Sequence, residues 1–238
     1  MNLYIEKLEA KKHELITRVR AHSFLRRCRA GQVGLKELKL FLVQQGLYSS
    51  HFTRYLCALM ANLPGNQEIL ELADNLFEEL GLSDADELPH HLLYKQMLGH
   101  FGILTIQADP YAGTAWLIRD MLDHCKQSNP AYGLGALCLG AEALVPSMYA
   151  DIIEGFLAQG VELAELEFFR IHVACDDGHA ETIRDLMVAM AEENPAQLDI
   201  MLQAGEALVN SRLRFFSDIE AMAHAVQAVH QAAPAHAA

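Results

Sequence analysis

Residues Gly133–Pro146 read GLGALCLGAEALVP, and Glu142 is their only charged member. A helix that is apolar around its whole circumference belongs inside a protein, enclosed by other elements. Outward from this stretch, nearly the whole chain has helical character and strand-like alternation is absent. Helices are expected near residues 3–20, 35–62, 66–80, 90–101, 110–127, 131–157, 162–191 and 196–231. HSFLRRCRAGQVG joins the first two, with Gly31 and Gly34 as breakers, and GLSDADELP forms a polar loop between the third and fourth. Pro64, Pro89, Pro110, Pro130 and Pro195 fall in connections. Long helices with short loops pack antiparallel, so the expected fold class is an all-α compact helical bundle. No repeat or linker divides it. One domain over residues 1–238 is expected, with a frayed tail from about residue 232.

Composition narrows the function. A chain of 238 residues, 52% hydrophobic, has enough apolar material for one large core. A net charge of −13 with 18 Lys and Arg argues against nucleic acid and anionic membrane as partners. Five scattered cysteines without a CxxC pair indicate neither a disulfide framework nor a zinc knuckle, and fit a reduced cytoplasm. The N-terminal MNLYIEKLEAKKHEL lacks the apolar core of a signal peptide, and no apolar run reaches the length of a membrane span.

Cofactor sites in bundles are built from polar side chains that point inward from facing helices. Glu142 is the first such group, because a lone buried carboxylate is costly unless paired, protonated or bound to a cation. The stretch FFRIHVACDDGHAE, Phe168–Glu181, supplies three more. At about 100° per residue, His172, Asp176 and His179 fall within an arc of about 60°. Phe168 and Phe169 precede that stripe, and Ile183, Leu186 and Met187 extend it inward. An amphipathic surface helix would account for the spacing alone. Asp177 points about 100° further round, and Gly178 would permit a bend in mid-helix.

The third stretch is DNLFEELGLSDADELPHHLLY, Asp74–Tyr94. Its apolar stripe runs Ile69, Ala73, Leu76, Leu80, with Leu70 and Phe77 on one flank and Leu72 on the other. Glu79 lies about 20° from Leu72, whereas Glu78 lies on the opposite face. Glu79 is therefore the better inward candidate, and either His90 or His91 could turn in beside it. Carboxylates gathered in a core repel, by about 4 kcal/mol at about 4 Å for an effective dielectric near 20. Divalent cations remove that cost, and mixed nitrogen and oxygen ligands suit iron or manganese.

These residues together resemble the haem-oxygenase-like diiron proteins, also called iron-containing redox enzymes, relatives of the TenA thiaminases and of the quinone synthase PqqC. The likeness covers most of the chain. The segment His22–Pro64 is similar to the family's opening: a His-x-Phe segment, a glycine, then a long helix. NLFEELG matches N-L-x-[DE]-E-x-G and ends on Glu79. HHLLY matches H-x-x-L-[FY], which selects His90. EALVP carries Glu142 in E-x-x-x-P, and HVACDDGH matches H-x-x-x-D-x-x-H through His172, Asp176 and His179.

The resemblance implies a haem-oxygenase-like (TenA/PqqC-like) fold in which these six residues hold two iron ions, with manganese a competitor and no haem. It implies a cytoplasmic oxygenase or oxidase that takes dioxygen and a small-molecule substrate, and it admits a homodimer. Gln44, Tyr48 and Phe52 recur on one face of the second long helix and are expected to line the substrate pocket. Cys138, one turn before Glu142, is the residue that a metal-free TenA-type thiaminase would use. PqqC-type chemistry would need arginines in the central helices, where Arg119 and Arg170 are the main instances. A partner-binding domain without enzymatic activity is the remaining alternative.

Overall fold

The computed structural model describes residues 2–83, 88–104, 106–174 and 178–232, and all the regular structure it describes is helical. The elements are α1 (Leu3–Arg20), α2 (Ser23–Arg29), α3 (Leu35–Ser49), α4 (Phe52–Met60), α5 (Asn66–Glu79), α6 (His90–His100), α7 (Ala112–Cys125), α8 (Ala131–Gly140), α9 (Val145–Leu157), α10 (Glu167–Ala174), α11 (Gly178–Glu193) and α12 (Ala196–Ala232). Two 3-10 turns, Glu142–Leu144 and Leu163–Leu166, precede α9 and α10.

Several long helices expected from sequence are interrupted. The stretch after α1 forms α2 instead of a plain connection, started by His22, whose ring accepts a hydrogen bond from the Phe24 amide at 3.2 Å. The expected helix over residues 35–62 stops at Ser49 and restarts at Phe52. That over 131–157 breaks at Ala141, where φ −131° and ψ −78° leave the helical region. Pro146 supplies the physical reason. In a continuous helix its ring would strike the carbonyl of Glu142, four residues back. The chain resets instead, and the proline falls in the first turn of α9, where its missing N–H costs nothing. Gly178 begins α11; it does not lie inside a helix.

α8 is the enclosed helix that its sequence called for. Every residue from Gly133 to Gly140 is buried. It lies along α12 with the two backbones in contact. A Cβ on Gly205 would stand 2.6 Å from Leu139 Cβ and 3.0 Å from the Gly135 carbonyl oxygen, and one on Gly135 would meet the backbone of Met201. Glycine costs about 1 kcal/mol relative to alanine in a helix. Here the close approach it permits, and the packing that follows, offset that cost. One continuous apolar core extends from Leu8 in α1 through α8 to Ile219 in α12.

A buried ion pair fastens the other side. Asp151 of α9 is 2% exposed and accepts two hydrogen bonds from Arg20, at 2.9 and 2.8 Å, and another from Arg29. Three helices, α1, α2 and α9, meet at that carboxylate. Contrary to the sequence expectation, Ala131–Leu157 does have the length and hydropathy of a membrane span. It is interrupted at Ala141, however, and 72% of its most apolar window is buried within the fold.

Candidate metal centre

Three of the sequence candidates converge. Oxygen and nitrogen ligand atoms of Glu79, His90 and His172 all lie within 4.8 Å of one another. Each is placed by a local device. Glu79 is the last residue of α5, which Gly81 terminates in the left-handed conformation, φ +65°. The Leu82 amide then donates back to the Phe77 carbonyl at 2.8 Å, closing the helix end. Leu72 is fully buried, and Glu79 sits almost directly beneath it on the helix, so the carboxylate faces the core. The inward face of α5 is thus rotated from the expected stripe. Leu70, Phe77 and Leu80 are exposed.

His90 opens α6 directly after Pro89, and its Nδ1 stands 3.0 Å from Glu79 Oε1. His91, the alternative, is exposed, and Glu78 is not among the residues lining the site. His172, in α10, donates from Nδ1 to the Phe168 carbonyl at 2.6 Å. That bond sets the tautomer in which Nε2 carries the lone pair, the arrangement that metal-bound histidines need. The His90 and His172 rings stand 4.7 Å apart, and the Phe168 ring packs 4.2 Å from His172.

Glu142 lines the same cavity from the turn that the break at Ala141 creates. Asp176 and the side chain of His179 lie outside the described residues. A carboxylate and two imidazoles gathered this closely, with a second carboxylate on the same wall, form a donor set that fits a divalent transition metal such as iron or manganese. The cavity measures about 640 Å³, within the range of small-molecule sites.

The pocket expectations divide. Tyr48 and Phe52 line the cavity; Gln44 does not. The Tyr111 amide and the Thr114 hydroxyl donate to Gln44 Oε1 at 2.9 and 2.6 Å, which ties α3 to α7. Its neighbour Gln45 lines the cavity instead and donates to the Tyr149 hydroxyl at 3.1 Å. Within α3, Gln44 and Gln45 lie about 40° and about 60° to opposite sides of Tyr48; the Gln45 side faces the cavity and the Gln44 side faces α7. Cys138 also lies elsewhere, in a small separate cleft with Lys12, Glu9 and Arg184. Its thiol donates weakly to the Ala180 carbonyl at 3.5 Å, and burial pushes its pKa up to about 12.

Of the lining residues that the sequence reading did not name, one is a buried cation. Arg212, in α12, is buried on the cavity wall. Its signal was positional: Leu208, Arg212, Phe215 and Ile219 occupy one helix face, so a cation stands at a core position. Arg119 and Arg170, named as the central arginines, are about half exposed instead.

Residues 39–212 match the family described as iron-containing redox enzyme. No curated protein matches the chain. A domain of unknown function with a heme oxygenase-like fold, from Shewanella denitrificans, superimposes with a TM-score of 0.78 at 16% identity, over 98% of this chain and 97% of that one. A TenA homolog from Pseudomonas syringae gives 0.75 at 14% identity, over 92% and 93%. A CADD-like protein of unknown function from Nostoc punctiforme gives 0.72 at 15% identity, over 93% and 97%. The fold is haem-oxygenase-like, the class expected from sequence.

Proposed function

Because the chain belongs to the iron-containing redox enzyme family, we propose that it is a nonhaem diiron oxidase or oxygenase acting on a small molecule. Glu79, His90, Glu142, His172, Asp176 and His179 are its ligand set. The observation that carries this reading is the convergence of Glu79, His90 and His172 within 4.8 Å on a cavity that Glu142 also lines. Bound ferrous iron would supply the electrons and the coordination site for dioxygen reduction. The chain's own residues hold the ligands and shape the space. The Phe168 carbonyl fixes the His172 ring through Nδ1, and Tyr94, Tyr149 and Phe168 wall the cavity with rings that exclude water. Burial raises the phenol pKa of Tyr94 and Tyr149, so both remain protonated and neutral. With Gln45 donating to it, the Tyr149 hydroxyl is oriented toward whatever acceptor enters.

A cysteine-dependent hydrolysis of TenA type would need a thiol in the cavity, and no cysteine is among its described lining residues. The deciding experiment loads the protein anaerobically with ferrous iron, counts the metal, and admits oxygen. About two irons per chain and iron-dependent oxygen consumption are expected, unchanged in Cys138→Ser and lost in Glu142→Ala. Iron at background level in the intact protein, or oxygen consumption that depends on Cys138, overturns the reading.

A further inference from the structure

Arg212 is 2% exposed, and it differs from every other well-placed arginine in the fold. Arg20 and Arg29 pair with Asp151, Arg27 with Glu37 and Glu220, and Arg184 with Glu9 and Asp185. Arg212 is the most buried of them and forms no ion pair among the described residues. A guanidinium stays charged at any pH at which a protein is folded, and it carries five N–H donors. Among the described residues, Nη1 donates to Gln45 Oε1 at 3.2 Å, and the guanidinium also acts on the Tyr48 hydroxyl. Nε is buried with no acceptor among the described residues. Burying a charge in this way is costly unless something completes it.

The surroundings hold the guanidinium ready. Its plane lies over the Tyr48 ring, 4.3 Å from the centroid, and 5.6 Å from that of Phe215. Gln45 is itself fixed, because its amide nitrogen donates to Tyr149 and its oxygen therefore turns to Arg212. The Tyr48 hydroxyl, which Arg212 influences, is buried and has no acceptor for its proton among the described residues. Two donors with unmet hydrogen-bonding capacity thus stand on the wall of one cavity. Much of the remaining wall is apolar, from Leu98, Leu104, Ile106, Val145 and Met148.

We propose that this cavity takes a substrate with a carboxylate on an otherwise apolar body, and that Arg212, assisted by Tyr48, binds the carboxylate. The proposal rests on the reading of the cavity as the enzyme's substrate site. The planar fork of a guanidinium matches the two oxygens of a carboxylate, and a charge-assisted bond gains strength where water is excluded. The carboxylate is held by protein, so its recognition does not require metal.

The test uses full-length protein freed of metal with a chelator, and three probes of equal chain length: octanoate, 1-octanol and octylamine, titrated calorimetrically. Octanoate should bind about tenfold or more tightly than octanol, and octylamine most weakly. Arg212→Gln should erase the gap between octanoate and octanol, Arg212→Lys should restore part of it, and Tyr48→Phe should narrow it. Equal binding of octanoate and octanol by the wild type, or tighter binding of octylamine, overturns the proposal without recourse to any variant. A folded Arg212→Gln protein that keeps the full octanoate preference overturns it as well. Iron uptake, measured on the same preparations, separates the two readings. Wild-type protein that takes up iron but shows no octanoate preference refutes the carboxylate site alone. Protein with an Arg212-dependent preference but no iron uptake refutes the metal centre alone.

Discussion

Ferrous iron should stabilise this fold, and removing the His172 imidazole should abolish most of that effect. Glu79, His90 and His172 stand on three different helices, with His172 distant in sequence from the other two, and all three meet only in the folded protein. The unfolded chain has no preformed site, so nearly all of the binding free energy favours the native state. With free iron at about one hundred times its dissociation constant, the stabilisation is about 2.7 kcal/mol. For a chain of this length each kcal/mol moves Tm by about 2–4 °C, which gives a rise of about 5–11 °C. If loss of one ligand weakens binding about a hundredfold, the same iron concentration merely equals the dissociation constant, and the rise falls to about 1–2 °C. His172→Ala also removes packing against Phe168, so the metal-free Tm will drop; the quantity to read is the shift on adding iron. Anaerobic thermal unfolding with and without iron measures it, and Glu78→Gln, altering a side chain outside the cavity lining, should leave it unchanged. A full shift in His172→Ala would refute the ligand assignment.

Two further outcomes concern the scaffold. Asp151→Ala leaves Arg20 and Arg29 without their shared acceptor; both reach solvent, so the loss should sit near the lower end for broken buried pairs, about 3 kcal/mol in a urea titration. Stability should also fall at alkaline pH. Burial pushes the thiols of Cys28, Cys125 and Cys138 up to about 12, above their unfolded values. The native state therefore holds protons that the unfolded chain releases between about pH 9 and 12, and each thiol contributes a decline of about 1.4 kcal/mol per pH unit there. Below pH 9 these groups leave stability flat. Urea midpoints from pH 8 to 11 check the sign, and Cys138→Ala should lessen the slope; a midpoint that rises through this range would contradict it.

The all-helical architecture was legible because it depends on patterns that one helix carries alone. The apolar circumference of Gly133–Gly140 states that the helix is enclosed, whatever encloses it. Glu79, His90 and His172 were legible through offsets along a helix and through short motifs. What failed to show depends on how helices pack and where they stop. Gln44 is turned to α7, which leaves Gln45 at the cavity wall. Pro146 breaks the chain at Ala141. Cys138 illustrates the same limit: one turn from Glu142 in an ideal helix, it opens onto a different cleft once the chain turns at Ala141. Arg212 was missed for the opposite reason. Its position on the apolar face of α12 was visible, but a charge at a core position explains itself only when the cavity beside it is known.

The glycine seam between α8 and α12 has a mechanical consequence. With Gly135 and Gly205 in backbone contact, neither helix can slide or roll without driving main-chain atoms together. Glu142 follows α8 in the turn beyond Ala141, and Arg212 extends from the middle of α12. The seam acts as the rivet of a caliper: it fixes the two stretches of main chain from which a carboxylate and a guanidinium reach into one cavity.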